Sequence, residues 1–231
     1  ISRELQDEFA LNSQLKAATA IKDGHFDAEI SPVSVTYRKQ TQTVEQDEFP
    51  KFNCTLEDLQ NLRPAFDQQG SVTAGNASGI NDGASAILLA SENAVEQYGL
   101  TPLAEVIEYA QAGVDPAFMG LGPVAAIGNV LEKSNLHLSD IEVFELNEAF
   151  AAQAIGVNQQ LASAHNVEPL WLEQRVNLSG GAIALGHPIG ASGNRILTTL
   201  VYQLARTQST FGLASLCIGG GMGTAVIIKR C

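Results

Sequence analysis

The sequence predicts an α/β chain whose C-terminal part is a β-α-β-α-β-α-β-β mixed five-stranded sheet covered by helices, preceded by an α+β segment. After Gly99, short apolar or alternating runs at 104–110, 141–146, 175–178, 213–217 and 224–229 are interleaved with helix-period segments at 123–134, 148–162 and 189–207. That order belongs to a sheet with helices on both faces. By contrast, residues 26–70 are polar and irregular, which sets them apart from the regular part of the chain.

Each element has its own signals. Ser2 before Arg3-Glu4-Leu5 reads as an N-cap with an acidic first turn, and Leu5, Phe9, Leu15 and Ala18 keep helical spacing until Gly24 stops the helix. A short strand is expected at 33–37 and a short helix at 56–62, with Pro50 and Pro64 as punctuation. The almost wholly apolar run 84–90, between Gly83 and Glu92, has the character of a strand buried on both faces, and 92–98 continues as a helix to Gly99. Three units follow: 1–76, 77–100 and 101–231.

Composition narrows the partners. The chain has 231 residues, 45% of them hydrophobic, which is ample for a buried core. A net charge of −12 argues against nucleic acid or an anionic membrane surface as a main partner, since both call for a basic face. An anionic small ligand is still compatible, because Lys51, Arg38 or Arg63 could meet it locally, although each taken singly reads first as an ordinary solvated side chain. Three cysteines without a pairing pattern point to a reducing, cytoplasmic setting. No basic segment with an apolar core opens the chain, and the uncharged stretches 176–194 and 207–228 are broken by Gly, Pro, Asn or Ser.

The chemistry concentrates in three segments. In Gly186-His187-Pro188 a histidine precedes a proline, so 187 is biased to extended backbone and Pro188 suits the first position of the following helix. The partial positive charge of that helix end would keep the ring neutral and able to accept a proton. Asn147 ends the run 141–146. Cys217 ends an apolar run and is followed by Ile218-Gly219-Gly220-Gly221-Met222-Gly223. Strand ends in α/β sheets collect ligand sites, and glycines let backbone N–H groups approach a substrate oxygen. Read singly, Asn147 is also a helix cap for Phe150 N–H, with Glu148 a first-turn acid, and Cys217 is also a small core residue. The glycine cluster fits neither a dinucleotide fingerprint nor a P-loop. His25, His137 and His165 lack such surroundings and read as surface residues.

These segments resemble the Asn-Glu-Ala-Phe, Gly-His-Pro and Cys-x-Gly blocks of the thiolases, and Ala74-Gly75-Asn76-Ala77-Ser78-Gly79-Ile80-Asn81-Asp82-Gly83-Ala84 resembles a fourth. The similarity extends over nearly the whole chain and is closer to the biosynthetic acetyl-CoA acetyltransferases than to the long-chain degradative enzymes. The resemblance implies a thiolase-like fold whose residues 1–76 belong to the loop domain that covers CoA. It also implies condensation of two acetyl-CoA to acetoacetyl-CoA and CoA, or the reverse thiolysis, with CoA thioesters as substrates and no metal or redox cofactor.

By the same resemblance His187 would deprotonate the acylated cysteine and, with Asn147, serve the thioester oxygen. Cys217 would move the α-proton, and Gly219 N–H would serve a second oxyanion site. Ser78, Met119, Phe150 and Phe66 would line the pantetheine and acyl tunnel, and Lys51 would meet a CoA phosphate, although Met and Phe at such spacings also read as core. The Cys-(Ala/Ser)-Ser-Gly block that carries the acylated cysteine does not occur here; Cys54 and Cys231 lie in other surroundings. On that ground the N-terminal half is expected to be absent, residues 77–100 to be a strand and helix detached from it, and the complete protein to form a homo-oligomer. Two alternatives stay open: a Cys-His-Asn thioester hydrolase built on Cys217, His187 and Asn147, and a non-catalytic CoA-binding or pairing subunit.

Overall fold

The computed structural model describes residues 1–231. Helix α1 (Arg3–Lys22) is capped by Ser2, whose Oγ accepts the Leu5 N–H at 3.3 Å. Its buried face is small and polar rather than apolar: Ala10, Ala17 and Ala20 are joined there by Gln6, Asp7, Ser13 and Gln14. The polar groups make tertiary hydrogen bonds, among them Asn76 Nδ2 to Asp7 at 2.8 Å and Ser13 Oγ to Glu148 at 2.6 Å.

Strands β1 (Val33–Tyr37) and β2 (Gln40–Val44) form an exposed antiparallel hairpin. The sequence reading found only the first, because the turn is made by Arg38 and Lys39 at φ 47° and 68°, without the Asn-Gly or Asp-Gly pair that advertises such a turn. Helix α2 (Leu56–Gln60) carries a Thr55/Asp58 capping box, and α3 (Glu92–Tyr98) ends at Gly99. The strand expected at 84–90 does not form. A strand buried on both faces needs neighbours on both sides; here Leu88 and Leu89 are 82% and 75% exposed.

The remaining elements are β3 (Ala104–Gly113), α4 (Gly122–Ser134), β4 (Val143–Leu146), α5 (Ala151–Ala164), α6 (Pro169–Glu173), α7 (Ala182–Leu185), α8 (Ser192–Thr207), β5 (Phe211–Ile218) and β6 (Met222–Arg230). The sheet order is β3-β6-β5-β4, with β4 parallel to β5 and the other pairs antiparallel. The mixed, helix-covered α/β architecture is therefore as expected, but the sheet has four strands rather than five. Residues 175–178 are reduced to a single bridge, Phe144 to Val176. Asn177 then turns left-handed at φ 48°, and its side chain takes over from the backbone ladder: Oδ1 accepts Leu146 N–H and Nδ2 donates to Leu146 O, both at 2.8 Å.

Alternation along β4 divides the core. Phe144 and Leu146 face Ile127, Val130, Leu161 and Leu213, while Val143 faces Ile196, Leu200 and Leu204 of α8. On α8 the buried positions Ser192, Ile196, Thr199, Leu200, Gln203 and Leu204 follow the helical period. Each fully buried leucine there contributes about 1.5–3 kcal/mol of transfer free energy.

Glu145 lies on the same face as Val143, 1% exposed, with Arg195 of α8 at 3.9 Å and no hydrogen-bond partner for either carboxyl oxygen. Burial raises its pKa from the ordinary 4.5 to about 8 against the pull of Arg195, and neighbouring Glu29 and Glu148 add to the rise. The folded state thus retains a proton that the unfolded chain has released, so this contribution to stability is full below about pH 4.5 and is lost as pH rises through about 8. Glu145→Gln, which mimics the neutral acid, is expected to stabilise the full-length protein by about 2–4 kcal/mol at pH 9 and to change little at pH 5. Denaturant unfolding at the two pH values checks this, and equal effects at both would refute the assignment.

Candidate active site

Strand β4 delivers Asn147 from its C-terminal end, where Asn147 N–H bonds Ser215 O at 3.0 Å. Residues 148–150 stay out of the helix because Ala77 pairs with Phe150 and Asn76 O accepts the Ala151 N–H at 2.9 Å. Helix α5 therefore starts three residues later than the sequence suggests. Its N-cap position is Phe150, without a side-chain cap, so Asn147 is not a capping residue. It is 2% exposed, and its Nδ2 lies 3.5 Å from His187 Nε2 while its Oδ1 has no partner in the protein.

Glu148 likewise does not serve its own helix. Its carboxylate accepts Ser13 Oγ at 2.6 Å, Asn177 Nδ2 at 2.8 Å and the Ile183 N–H at 3.3 Å, bracing α7 and the turn that leads to His187. Burial pushes its pKa up against these three donors.

His187 is held from both chain directions. Gly186, at φ 94°, places its backbone so close to Asn81 that an added Cβ would stand 2.6 Å from Asn81 Oδ1. The His187 N–H bonds that same Oδ1 at 3.1 Å and Gly79 O at 3.2 Å. On the ring, Nδ1 lies 2.6 Å from Ser192 Oγ.

The expected helix start at 189 is displaced: α8 begins at Ser192, and 188–191 form a turn. The ring pKa is lowered, the main cause being burial, with the positive charge of Arg195 second. A neutral imidazole able to accept a proton is the outcome.

Cys217 lies on β5 opposite Gly223. The β4–β5 register pairs Leu146 with Ser215, which sets Leu216 beside the position of Asn147 and Cys217 one residue further along the neighbouring strand. By strand geometry the Asn147 and Cys217 Cα atoms are within roughly 8 Å. Burial pushes the Cys217 thiol up.

The following hairpin turns through Gly220 and Gly221 at φ 92° and 89°, leaving Gly219 exposed and with no backbone acceptor for its N–H.

The other sequence-predicted residues fall into place unevenly. Phe66 and Phe150 meet edge to face with centroids 6.4 Å apart, although Phe66 is 80% exposed. Ser78 bonds Ala149 O through both its N–H and its Oγ, at 3.1 and 2.9 Å. Met119 lies half-buried in the 3-10 turn Pro116–Leu121. Lys51 is exposed, anchored through its N–H to Gln14 Oε1 at 2.9 Å. Sequence reasoning missed the supporting set of Ser192, Asn81, Asn177 and Ser13. Only the Asn81 contact had any local signal, its place in the 74–84 block.

A family model of the thiolase C-terminal domain matches residues 100–230, and one of the thiolase N-terminal domain matches residues 1–93. The chain belongs to the thiolase family. The second match corrects an expectation: N-terminal thiolase sequence is present in residues 1–93 and is not absent.

Over 230 residues the chain is 55% identical to an acetyl-CoA acetyltransferase of Escherichia coli (strain K12), and 51% identical to one of Paracoccus denitrificans. These alignments cover 100% of this chain and 56% and 57% of those thiolases. Among solved structures it is similar to the Bacillus anthracis acetyl-CoA acetyltransferase, with a TM-score of 0.94 and 44% identity over 100% of this chain and 57% of that one. It is also similar to human mitochondrial 3-ketoacyl-CoA thiolase in complex with CoA, with a TM-score of 0.91 and 44% identity over 100% of this chain and 55% of that one. The chain therefore spans little more than half the length of these relatives.

Proposed function

We propose that the complete protein is an acetyl-CoA C-acetyltransferase, condensing two acetyl-CoA to acetoacetyl-CoA and CoA or running the reverse thiolysis. The observation that carries this reading is the convergence of Asn147 on His187, Nδ2 to Nε2 at 3.5 Å, at the strand ends next to Cys217.

His187 takes the thiol proton of the cysteine that becomes acylated, which is none of Cys54, Cys217 and Cys231. With Asn147 it then polarises the thioester oxygen of acetyl-CoA. Cys217 moves the α-proton, and Gly219 N–H serves the second oxyanion. Preorganised donors of this kind contribute about 3–4 kcal/mol each.

Residues 1–76, with Ser78, Phe66, Phe150 and Met119, form the cover and walls of the CoA site, and Lys51 meets a phosphate; residues 77–100 and 101–231 are the other two units. The Phe66–Phe150 edge contact supports a shared apolar wall. The substrate is the CoA thioester itself, and no further cofactor enters the chemistry.

Three free thiols support a cytoplasmic setting, and the exposed Ile80, Leu88 and Leu89 support association into a homo-oligomer. No helix is long and apolar enough to cross a membrane. The hydrolase alternative fits less well: burial pushes the Cys217 thiol up rather than activating it as a nucleophile.

Thiolysis of acetoacetyl-CoA by the full-length protein, followed as CoA-dependent acetyl-CoA formation, tests the reading. Turnover at about 1–10³ s⁻¹ is expected. Hydrolysis of acetyl-CoA without carbon–carbon bond cleavage would overturn it.

A further inference from the structure

We propose that Ser192 is a positioning residue that holds His187 in the tautomer with Nδ1 protonated and Nε2 free to take a proton. The proposal rests on the acetyltransferase reading for its catalytic consequence, but not for the tautomer itself. A hydroxyl has one proton and two lone pairs. Ser192 Oγ donates its proton to Pro188 O at 3.1 Å, which leaves a lone pair for the Nδ1–H at 2.6 Å. Ser192 is 1% exposed, so no solvent competes for that hydroxyl. On the opposite side of the ring the Asn147 amide presents Nδ2, a donor, 3.5 Å from Nε2, which fits a ring nitrogen bearing a lone pair. The proton order is thus Nδ1–H to Ser192 and Ser192 O–H to Pro188, with an open acceptor at Nε2.

Chain geometry makes this contact obligatory. Ser192 opens α8, five residues after His187, and its own N–H bonds Pro188 O at 2.9 Å. The turn 188–191 therefore fixes the distance between hydroxyl and ring. Asn81 and Gly79 fix the other end by sharing the His187 N–H at 3.1 and 3.2 Å. With the ring clamped at its backbone and at Nδ1, only Nε2 is directed toward Asn147. During acyl transfer Nε2 would take the thiol proton as sulfur attacks the thioester carbonyl, and return it to the departing CoA thiolate. The products are the acyl-cysteine and CoA–SH, with no net proton gained. Nδ1–H stays on Ser192 throughout. With the wrong tautomer the ring would present a donor where a base is needed, a fault that costs far more than the hydrogen bond itself.

The experiment labels histidine with 15N in the full-length protein and reads the tautomer by NMR, with His187 assigned from His187→Gln. Wild type is expected to show protonated Nδ1 and unprotonated Nε2. Ser192→Ala should move the ring toward the Nε2–H form and lower kcat by about 10- to 100-fold, with KM within about twofold. Ser192→Thr, which restores the hydroxyl, should recover both the tautomer and most of kcat. Protonated Nε2 in wild type, or a tautomer unmoved in Ser192→Ala, overturns the proposal even if thiolysis is robust. A tautomer that shifts as expected in a protein without thiolysis activity upholds the proposal and refutes the acetyltransferase reading instead.

Discussion

His187→Ala in the full-length protein is expected to abolish both halves of the reaction, with thiolysis falling by at least about 10³-fold. In the proposed mechanism one side chain is lost from two tasks: taking the proton from the cysteine that attacks the thioester, and holding the thioester oxygen together with Asn147. General-base loss alone typically costs about 10²–10⁴-fold, and a missing oxyanion donor about 10²–10³-fold. The fold should survive, because the clamp on residue 187 is made by its backbone N–H to Asn81 and Gly79 and not by the ring. Intact mass after mixing with acetyl-CoA gives the direct reading, since wild type gains one acetyl group and the variant should gain none within the same time. Acetylation at an undiminished rate would show that another group activates the nucleophile.

What the sequence made legible, and what it did not, divides by the range of the interactions involved. The Gly186-His187-Pro188 and Asn147 segments were readable because local punctuation, a glycine turn or the end of an alternating strand, marks where a side chain leaves the sheet. Element order after Gly99 was readable for the same reason. The start of α5 was not, since residues 148–150 are held out of the helix by Asn76 and Ala77, more than 70 positions earlier in the chain. The fifth strand was overcounted because 175–178 has strand-like residues, yet the Asn177 side chain meets Leu146 in place of a backbone ladder. The lowered pKa of His187 was anticipated in direction, but burial, which leads it ahead of Arg195, comes from packing that local sequence does not show. Ser192 carried no signal of its own, because a serine opening a helix ordinarily needs no further explanation.

Cys217→Ala is expected to separate the two half-reactions that His187→Ala removes together. Cys217 sits on β5, one strand over from Asn147 and ahead of the Gly219 turn. Burial holds its thiol pKa above the ordinary value, so the resting group is a thiol. A thiol with a raised pKa is a poor general acid for an oxygen but a competent proton donor to an enolate carbon, and its thiolate is a correspondingly stronger base toward an α-proton. In the proposed mechanism it supplies, in thiolysis, the proton that turns the departing enolate into acetyl-CoA, and in condensation it takes that proton. Neither task is needed to form the acyl-enzyme. The variant should therefore acetylate from acetyl-CoA within about tenfold of the wild-type rate, while thiolysis and condensation fall by about 10²–10⁴-fold. Hydrogen–deuterium exchange at the acetyl methyl of acetyl-CoA should stop in step with condensation, because both require the same α-proton transfer. Acetylation lost as completely as in His187→Ala, or methyl exchange persisting in Cys217→Ala, would remove Cys217 from the α-proton step.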